Sequence, residues 1–179
     1  MKKVLGALGV IQGSPEQTRI VTPYADGIKV FSAFLGSAEK KIRTMIYGAT
    51  LDVFFDDLIA AKKNGLDVKV IFDHMQSTGH TEHAKIEGLI AAGWVDGTDF
   101  VIGTSPKSDQ IIHIKATWLD DRWVEDGSLN YSPSAFKQVN TICIQEWPEY
   151  AVYLDGIFNQ QWDWVMKNDQ RYQLNECGR

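Results

Sequence analysis

The chain has 179 residues, of which 44% are hydrophobic, and this size and composition predict one domain over residues 1–179 with its core at about 20–166. Its 18 basic and 23 acidic residues give a formal net charge of −5, which excludes nonspecific binding of nucleic acid through an overall positive field. The two cysteines, Cys143 and Cys177, lack the spacing of metal ligands, and no apolar run is long enough to span a membrane.

The beginning of the sequence weakly resembles a secretory signal. Met1, Lys2 and Lys3 precede an apolar run from Val4 to Ile11, but the run is short and no small-residue cleavage site follows it. We therefore expect a cytoplasmic protein, and leave a secreted or periplasmic one as the alternative.

The first half of the chain alternates strands and amphipathic helices. Asp26 is suited to cap the first helix, Thr50 the second, and Gly65 to end the second. In chain order we predict a strand at Ile20–Thr22, a helix at Ile28–Ile42, a strand at Arg43–Tyr47, a helix from Thr50 to Gly65 and a strand at Val68–Asp73.

This strand, helix and strand form a βαβ unit, which implies parallel strands joined by a right-handed crossover. We therefore expect an α/β fold with a mixed, largely parallel central sheet flanked by helices on both faces. Asp73 and His74 then come at the carboxyl end of a strand, where α/β sheets commonly build their sites.

The second half continues the alternation up to the end of the last helix. Gly93 and Pro148 are typical of a helix end and a helix start. We predict a loop at Gln76–Glu82, a helix ending at Gly93, a strand at Phe100–Ile102, a loop at Gly103–Gln110, a strand at Ile112–Leu119, a turn at Asp120–Arg122, a return strand at Trp123–Val124, a short helix from Ser132 to Phe136, a strand at Val139–Ile144 and a long final helix from Trp147.

The stretch from Ile112 to Tyr131 carries the chemistry of the chain. In a strand, residues two apart share a face, so His113 and Lys115 would project together. The turn at Asp120 and the bend at Gly127 would then bring Ser128 and Asn130 back beside the histidine. An imidazole, an ammonium group and two small hydrogen-bonding groups suit a phosphate group.

Each of these residues alone is more often structural, but together they form one pattern. HxKxxxxDxxxxxxGSxN fixes six residue types over eighteen positions, at His113, Lys115, Asp120, Gly127, Ser128 and Asn130. With this motif, the sequence resembles the phospholipase D superfamily from about Ile20 to Trp164. The resemblance implies a metal-independent phosphodiesterase with no cofactor.

Within this resemblance each motif residue has an expected role. The catalytic set is His113, Lys115 and Asp120, with His113 as the nucleophile that forms a phosphohistidine. Phosphate is bound by Lys115, Ser128 and Asn130, and Gly127 is structural. Asp120 is the weakest member, since it is expected to tie down the turn and to point away from the phosphate.

The family active site holds two such motifs, whereas this chain has one. His74, His80 and His83 start no second copy, because none is followed by the lysine and the GSxN. The resemblance therefore implies a homodimer with a composite site, as in small single-motif endonucleases. Nucleic acid is the expected substrate and no stable membrane association is expected; a lipid phosphodiesterase and a noncatalytic nucleic-acid-binding dimer are the alternatives.

One departure from the family concerns the acidic residue that often steers the histidine in an Asn-x-Glu context. Here the matching stretch reads Asn140, Thr141, Ile142, with no acid. Three other side chains are candidates to orient His113: Glu146, Asp73 and Asn140.

Overall fold

The computed structural model describes residues 11–14, 17–106 and 110–168, with only the backbone for 11–14. The remainder of the signal-like run (residues 4–10) and Cys177 lie outside these ranges. Eight strands form one sheet, in the spatial order β1-β2-β8-β7-β6-β3-β4-β5. They are β1 Ile11–Ser14, β2 Gln17–Thr22, β3 Lys41–Ile46, β4 Asp67–Asp73, β5 Phe100–Gly103, β6 Lys115–Leu119, β7 Trp123–Gly127 and β8 Asn140–Glu146.

The sheet is mixed, as predicted, but less parallel than expected. Strands β3, β4 and β5 run parallel to one another, and this confirms the predicted βαβ unit. All the other pairings are antiparallel, because β6 enters beside β3 in the opposite direction and is followed by hairpin-like returns. The sheet is mixed as expected, but it is not largely parallel, because only the β3–β4 and β4–β5 pairings are parallel.

The described residues also form five α-helices and one short 3₁₀ helix. They are α1 Gly27–Leu35, α2 Asp52–Lys63, α3 His74–Ser77, α4 His80–Ala91 and α5 Pro148–Lys167, with the 3₁₀ helix at Ala135–Lys137. Apolar side chains of α1, α2 and α4 pack on one face of the sheet, and those of α5 pack on the other face. The two faces are thus covered by helices, as the sequence predicted.

Several predicted boundaries shift. Helix α1 is capped by Asp26 as expected but ends at Leu35, and Ile42 lies in β3 instead. Thr50 does not cap α2, whose N-cap position is Leu51. The predicted loop from Gln76 to Glu82 is mostly helical, because the Asp73 carboxylate accepts the backbone N–H groups of Met75 and Gln76 and starts α3.

No helix among the described residues combines the length and the apolar character that crossing a bilayer requires.

Candidate active site

Most of the motif residues lie where β3 and β4 end and β6 begins: His113, Lys115, Ser128 and Asn130. The strand β6 begins at Lys115, so His113 precedes it outside any regular element and is exposed, while Lys115 is 6% exposed. The Lys115 ammonium donates a hydrogen bond of 2.7 Å to the backbone oxygen of His113. The predicted strand start at Ile112 was therefore too early, but Lys115 still reaches the backbone of His113.

A tyrosine that sequence analysis did not single out contacts both residues. The ring centroid of Tyr47 lies 4.9 Å from that of His113, with the planes at 54°. The Lys115 ammonium nitrogen lies 5.0 Å from the same Tyr47 ring centroid, a cation–π distance. Tyr47 directly follows β3, so the rule that drew attention to the carboxyl end of β4 at Asp73 would also have found it.

Asp73 holds the backbone in front of the histidine. One carboxylate oxygen accepts the N–H of Ile112 at 2.6 Å, and the other accepts N–H groups at the start of α3. Burial raises the pKa of Asp73, and the bonds from the backbone oppose that rise. Burial lowers the pKa of the Lys115 ammonium, whereas the nearby Asp73 charge raises it.

The three candidates for steering His113 have other partners. Asp73 accepts the backbone N–H of Ile112. The side-chain oxygen of Asn140 accepts a hydrogen bond of 2.9 Å from the Ser128 hydroxyl. Glu146 binds Arg122 at the far end of the sheet. Among the described residues, none hydrogen-bonds the His113 ring. The position where the family context would place the acidic residue is occupied by Ile142, which is buried in the core.

Ser128 and Asn130 follow β7 at the same end of the sheet. The Ser128 hydroxyl accepts the N–H of Thr141 at 3.1 Å in addition to its bond to Asn140, so it links β7 to β8. The side-chain oxygen of Asn130 is buried and has no hydrogen-bond partner among the described residues. It lies next to Gly48, 3.8 Å from where a β-carbon would be.

Only glycine fits at position 127. A β-carbon there would lie 2.1 Å from the backbone oxygen of Thr141, well inside contact distance. Gly127 therefore allows β7 and β8 to approach closely just before Ser128.

Asp120 lies at the opposite end of β6 from Lys115. Its carboxylate accepts the N–H groups of Glu39, Lys40 and Lys41 at 2.8–2.9 Å, and its backbone has a positive φ of 54°. These bonds agree with the expected tie at the turn. Asp120 therefore lies at the end of β6 away from Lys115, and its place in the catalytic set stays a prediction.

A buried polar chain lies under the site on the same face as Lys115. The Tyr131 hydroxyl donates to Glu125 at 2.5 Å and lies 2.9 Å from the Thr117 hydroxyl, which lies 2.9 Å from that of Thr44. Burial raises the pKa of Glu125 to about 8 and that of Tyr131 well above its usual range. Sequence analysis missed this network, whose members come from β3, β6, β7 and the segment after β7.

Two further features bear on what the site can bind. A groove of about 490 Å³ runs along β2, β7 and β8, but His113 and Lys115 do not line it. In the described part of the chain, no group of three or more His, Cys, Asp and Glu side chains is placed to hold a metal ion.

Comparison with known proteins places this arrangement in a family. Residues 31–162 match the model described as "Cardiolipin synthase, PLD-like domain". The structure is similar to Nuc, a phospholipase D family member from Salmonella typhimurium, with a TM-score of 0.70 and 26% identity over 83% of this chain and 95% of that one.

Two structures with lower sequence identity share the fold. NucT from Helicobacter pylori has a TM-score of 0.72 and 18% identity, covering 83% of this chain and 96% of that one. Phosphatidylserine synthase from Haemophilus influenzae has a TM-score of 0.56 and 12% identity, covering 87% of this chain and 40% of that one. No curated protein sequence shows significant similarity to the chain. Because the family model matches residues 31–162, which is most of the chain, the chain belongs to the phospholipase D-like family.

Proposed function

We propose that this protein is a metal-independent phosphodiesterase that hydrolyses nucleic-acid phosphodiester bonds at a site shared by two protomers. The observation that carries the proposal is that the exposed imidazole of His113 and the buried ammonium of Lys115 both contact the Tyr47 ring. A nucleophile next to a fixed positive charge is what attack on a phosphodiester anion requires. The likeness to Nuc at 26% identity, over 83% of this chain and 95% of that one, supports a small single-motif member.

The reaction takes place in two displacements at phosphorus. In the first, the His113 imidazole attacks, a nitrogen–phosphorus bond forms, and the bond to the leaving oxygen breaks as the partner's His113 donates a proton to that oxygen. In the second, water attacks phosphorus, gives its proton to the partner's His113, and the nitrogen–phosphorus bond breaks. Both imidazoles return to their starting states.

Lys115, Ser128 and Asn130 are the groups we assign to the nonbridging phosphate oxygens. Lys115 contributes a positive charge, and Asn130 contributes its amide N–H groups. The Ser128 hydroxyl must exchange its present bond to Asn140 for one to phosphate. None of these contacts requires a metal ion, and the described residues contain no cluster suited to hold one.

A second chain is needed because the described motif supplies one histidine, while the cycle uses two. The second chain must therefore present its own His113 to the same phosphate, through a self-complementary contact at the end of the sheet where His113 lies. A self-complementary contact of this kind gives a closed two-fold dimer.

Activity in excess EDTA on four substrates tests the proposal: single-stranded DNA, duplex DNA, RNA and phosphatidylcholine vesicles. We expect cleavage of nucleic acid at the rate seen without chelator, and no release of choline. Release of choline alone would favour the lipid phosphodiesterase, and loss of all cleavage in EDTA with recovery on adding magnesium or zinc would contradict the mechanism. Salt-dependent binding without turnover would favour the noncatalytic dimer, which the absence of an acid at Ile142 makes the main rival.

Variants show whether the measured activity belongs to this chain or to a contaminating nuclease. His113→Ala and Lys115→Ala should each remove turnover while the melting temperature stays near that of the wild type. His80→Ala and Lys63→Ala are matched controls at exposed positions and should keep wild-type rates. If His113→Ala retains activity within about tenfold, which corresponds to only about 1.4 kcal/mol of barrier, then His113 is not the nucleophile.

A further inference from the structure

Tyr47 contacts the two reacting side chains at once, and its contacts with them are of different kinds. Its ring packs on the His113 imidazole with the planes inclined at 54°. The same ring receives the Lys115 ammonium at a cation–π distance of 5.0 Å. Since Lys115 also donates to the backbone oxygen of His113, the three side chains form one compact group.

A closed circuit of hydrogen bonds fixes Tyr47 relative to the histidine. The Tyr47 hydroxyl accepts the side-chain N–H of Gln76 at 2.9 Å, and the Gln76 backbone N–H donates to Asp73 at 3.3 Å. Asp73 accepts the N–H of Ile112, and the Tyr47 N–H donates to the oxygen of Ile114 at 3.0 Å.

The circuit reaches both sides of the histidine in the chain. Ile112 precedes His113 and Ile114 follows it, so the backbone on each side is bound to the scaffold that carries the Tyr47 ring. The ring therefore has a fixed place from which to limit rotation of the imidazole. Gly48 adjoins this scaffold, with the Gln76 and Asn130 side chains both within 4 Å of where its β-carbon would be.

We propose that Tyr47, held by Gln76, is the positioning residue for His113 and Lys115 in this chain. Tyr47 orients His113 by ring packing and holds Lys115 by a cation–π contact. It thereby replaces a steering carboxylate, because position 142 is a buried isoleucine. A phenol ring orients the imidazole without placing a negative charge beside it. This inference rests on the proposed function for its kinetic consequences, but the contacts themselves can be tested without turnover.

The kinetic test compares removal of the ring with removal of its anchor, using bis(4-nitrophenyl) phosphate as the probe. Tyr47→Leu should lower kcat by about 100-fold with KM near that of the wild type, because a misplaced nucleophile reduces the chemical step rather than binding. Tyr47→Phe and Gln76→Leu both keep the Tyr47 ring but remove the hydrogen bond that holds it, so each should lower kcat by about tenfold at most. Their double variant should be no worse than the poorer single variant, since both remove the same bond. Tyr24→Leu is the matched control at a side chain that is 82% exposed, and it should leave kcat unchanged.

The structural test is the NMR signal of the His113 ring in protein labelled at histidine. Tyr47→Leu should shift this signal by removing the ring current, Tyr47→Phe should keep most of the wild-type shift, and the signal of His80 should stay in place in both. Unchanged kcat and an unchanged His113 signal in folded Tyr47→Leu would overturn the inference. A wild type that cleaves no substrate would contradict the proposed function instead, and the His113 signal would still decide whether Tyr47 positions the ring.

Discussion

Glu125 is a fully buried carboxyl group whose ionisation makes folding depend on pH. It is 1% exposed, and one of its oxygens has no hydrogen-bond partner among the described residues. Burial raises its pKa to about 8 from an ordinary value of 4.5. Between these values the folded chain keeps a proton that the unfolded chain has lost, so stability is full below about pH 4.5 and falls as pH rises towards about 8.

The melting temperature of the wild type should therefore fall between pH 5 and pH 8.5, and Glu125→Gln should reduce that fall. Glu82, whose pKa burial also raises to about 8, should account for part of the remaining slope, so Glu82→Gln should reduce the fall as well. Thermal unfolding followed by circular dichroism checks both variants. If Glu125→Gln has the same pH dependence as the wild type, then Glu125 is charged in the fold throughout this range.

The residues that sequence predicted at the site are those with a fixed spacing along the chain. His113 and Lys115 are two apart, so their proximity is a local property that the pattern contains. Tyr47 and Gln76 come from different connections, and only the sheet order brings them to His113. Asp73 was noticed at its strand end, but its bond to Ile112 depends on the chain joining the sheet only at Lys115, which no periodicity indicates.

At the scale of elements, caps with a strong local signal were predicted correctly and the others were not. Asp26 accepts the N–H of Lys29 and begins α1 as expected. The end of α1 was misplaced because the helical spacing of apolar residues continues by chance as far as Ile42, which faces the core from β3. Helix α3 was missed because its start depends on the Asp73 carboxylate.

The β6–β7 hairpin is the element whose stability we expect to depend on Asp120. Asp120→Ala removes the acceptor of three backbone N–H groups, while Asp121→Ala alters the neighbouring residue with the same positive φ of 54°. Asp120→Ala should therefore be less stable than Asp121→Ala by about 1–2 kcal/mol. Urea unfolding measures the difference, and kcat should remain near wild type in both variants. A large loss of kcat in Asp120→Ala at unchanged stability would instead support Asp120 as a member of the catalytic set.

At the scale of the whole molecule, sequence predicted the α/β class and helices on both faces, but not the share of parallel strands. The parallel unit β3–α2–β4 is local and has a clear pattern. The antiparallel pairing of β3 with β6 joins segments about seventy residues apart, and no local signal specifies it. This pairing is what places Lys115 beside Ile46 and hence beside Tyr47.

Because the motif occurs once in the chain, a complete site requires two chains. If two copies of His113 share one phosphate, a dimer of one wild-type chain and one His113→Ala chain has a single imidazole and cannot finish the cycle. Subunit exchange with an excess of His113→Ala, confirmed by native mass spectrometry, produces such dimers. Lys63→Ala in the same excess is the control, and it should leave activity in proportion to total chain.

Nuclease activity measured across a series of wild-type to His113→Ala ratios tests the shared site most directly. Random pairing predicts that activity falls as the square of the wild-type fraction, because only dimers with two wild-type chains are active. Activity that falls in direct proportion to the wild-type fraction, with exchange complete, would show that each protomer works alone and would contradict the composite site.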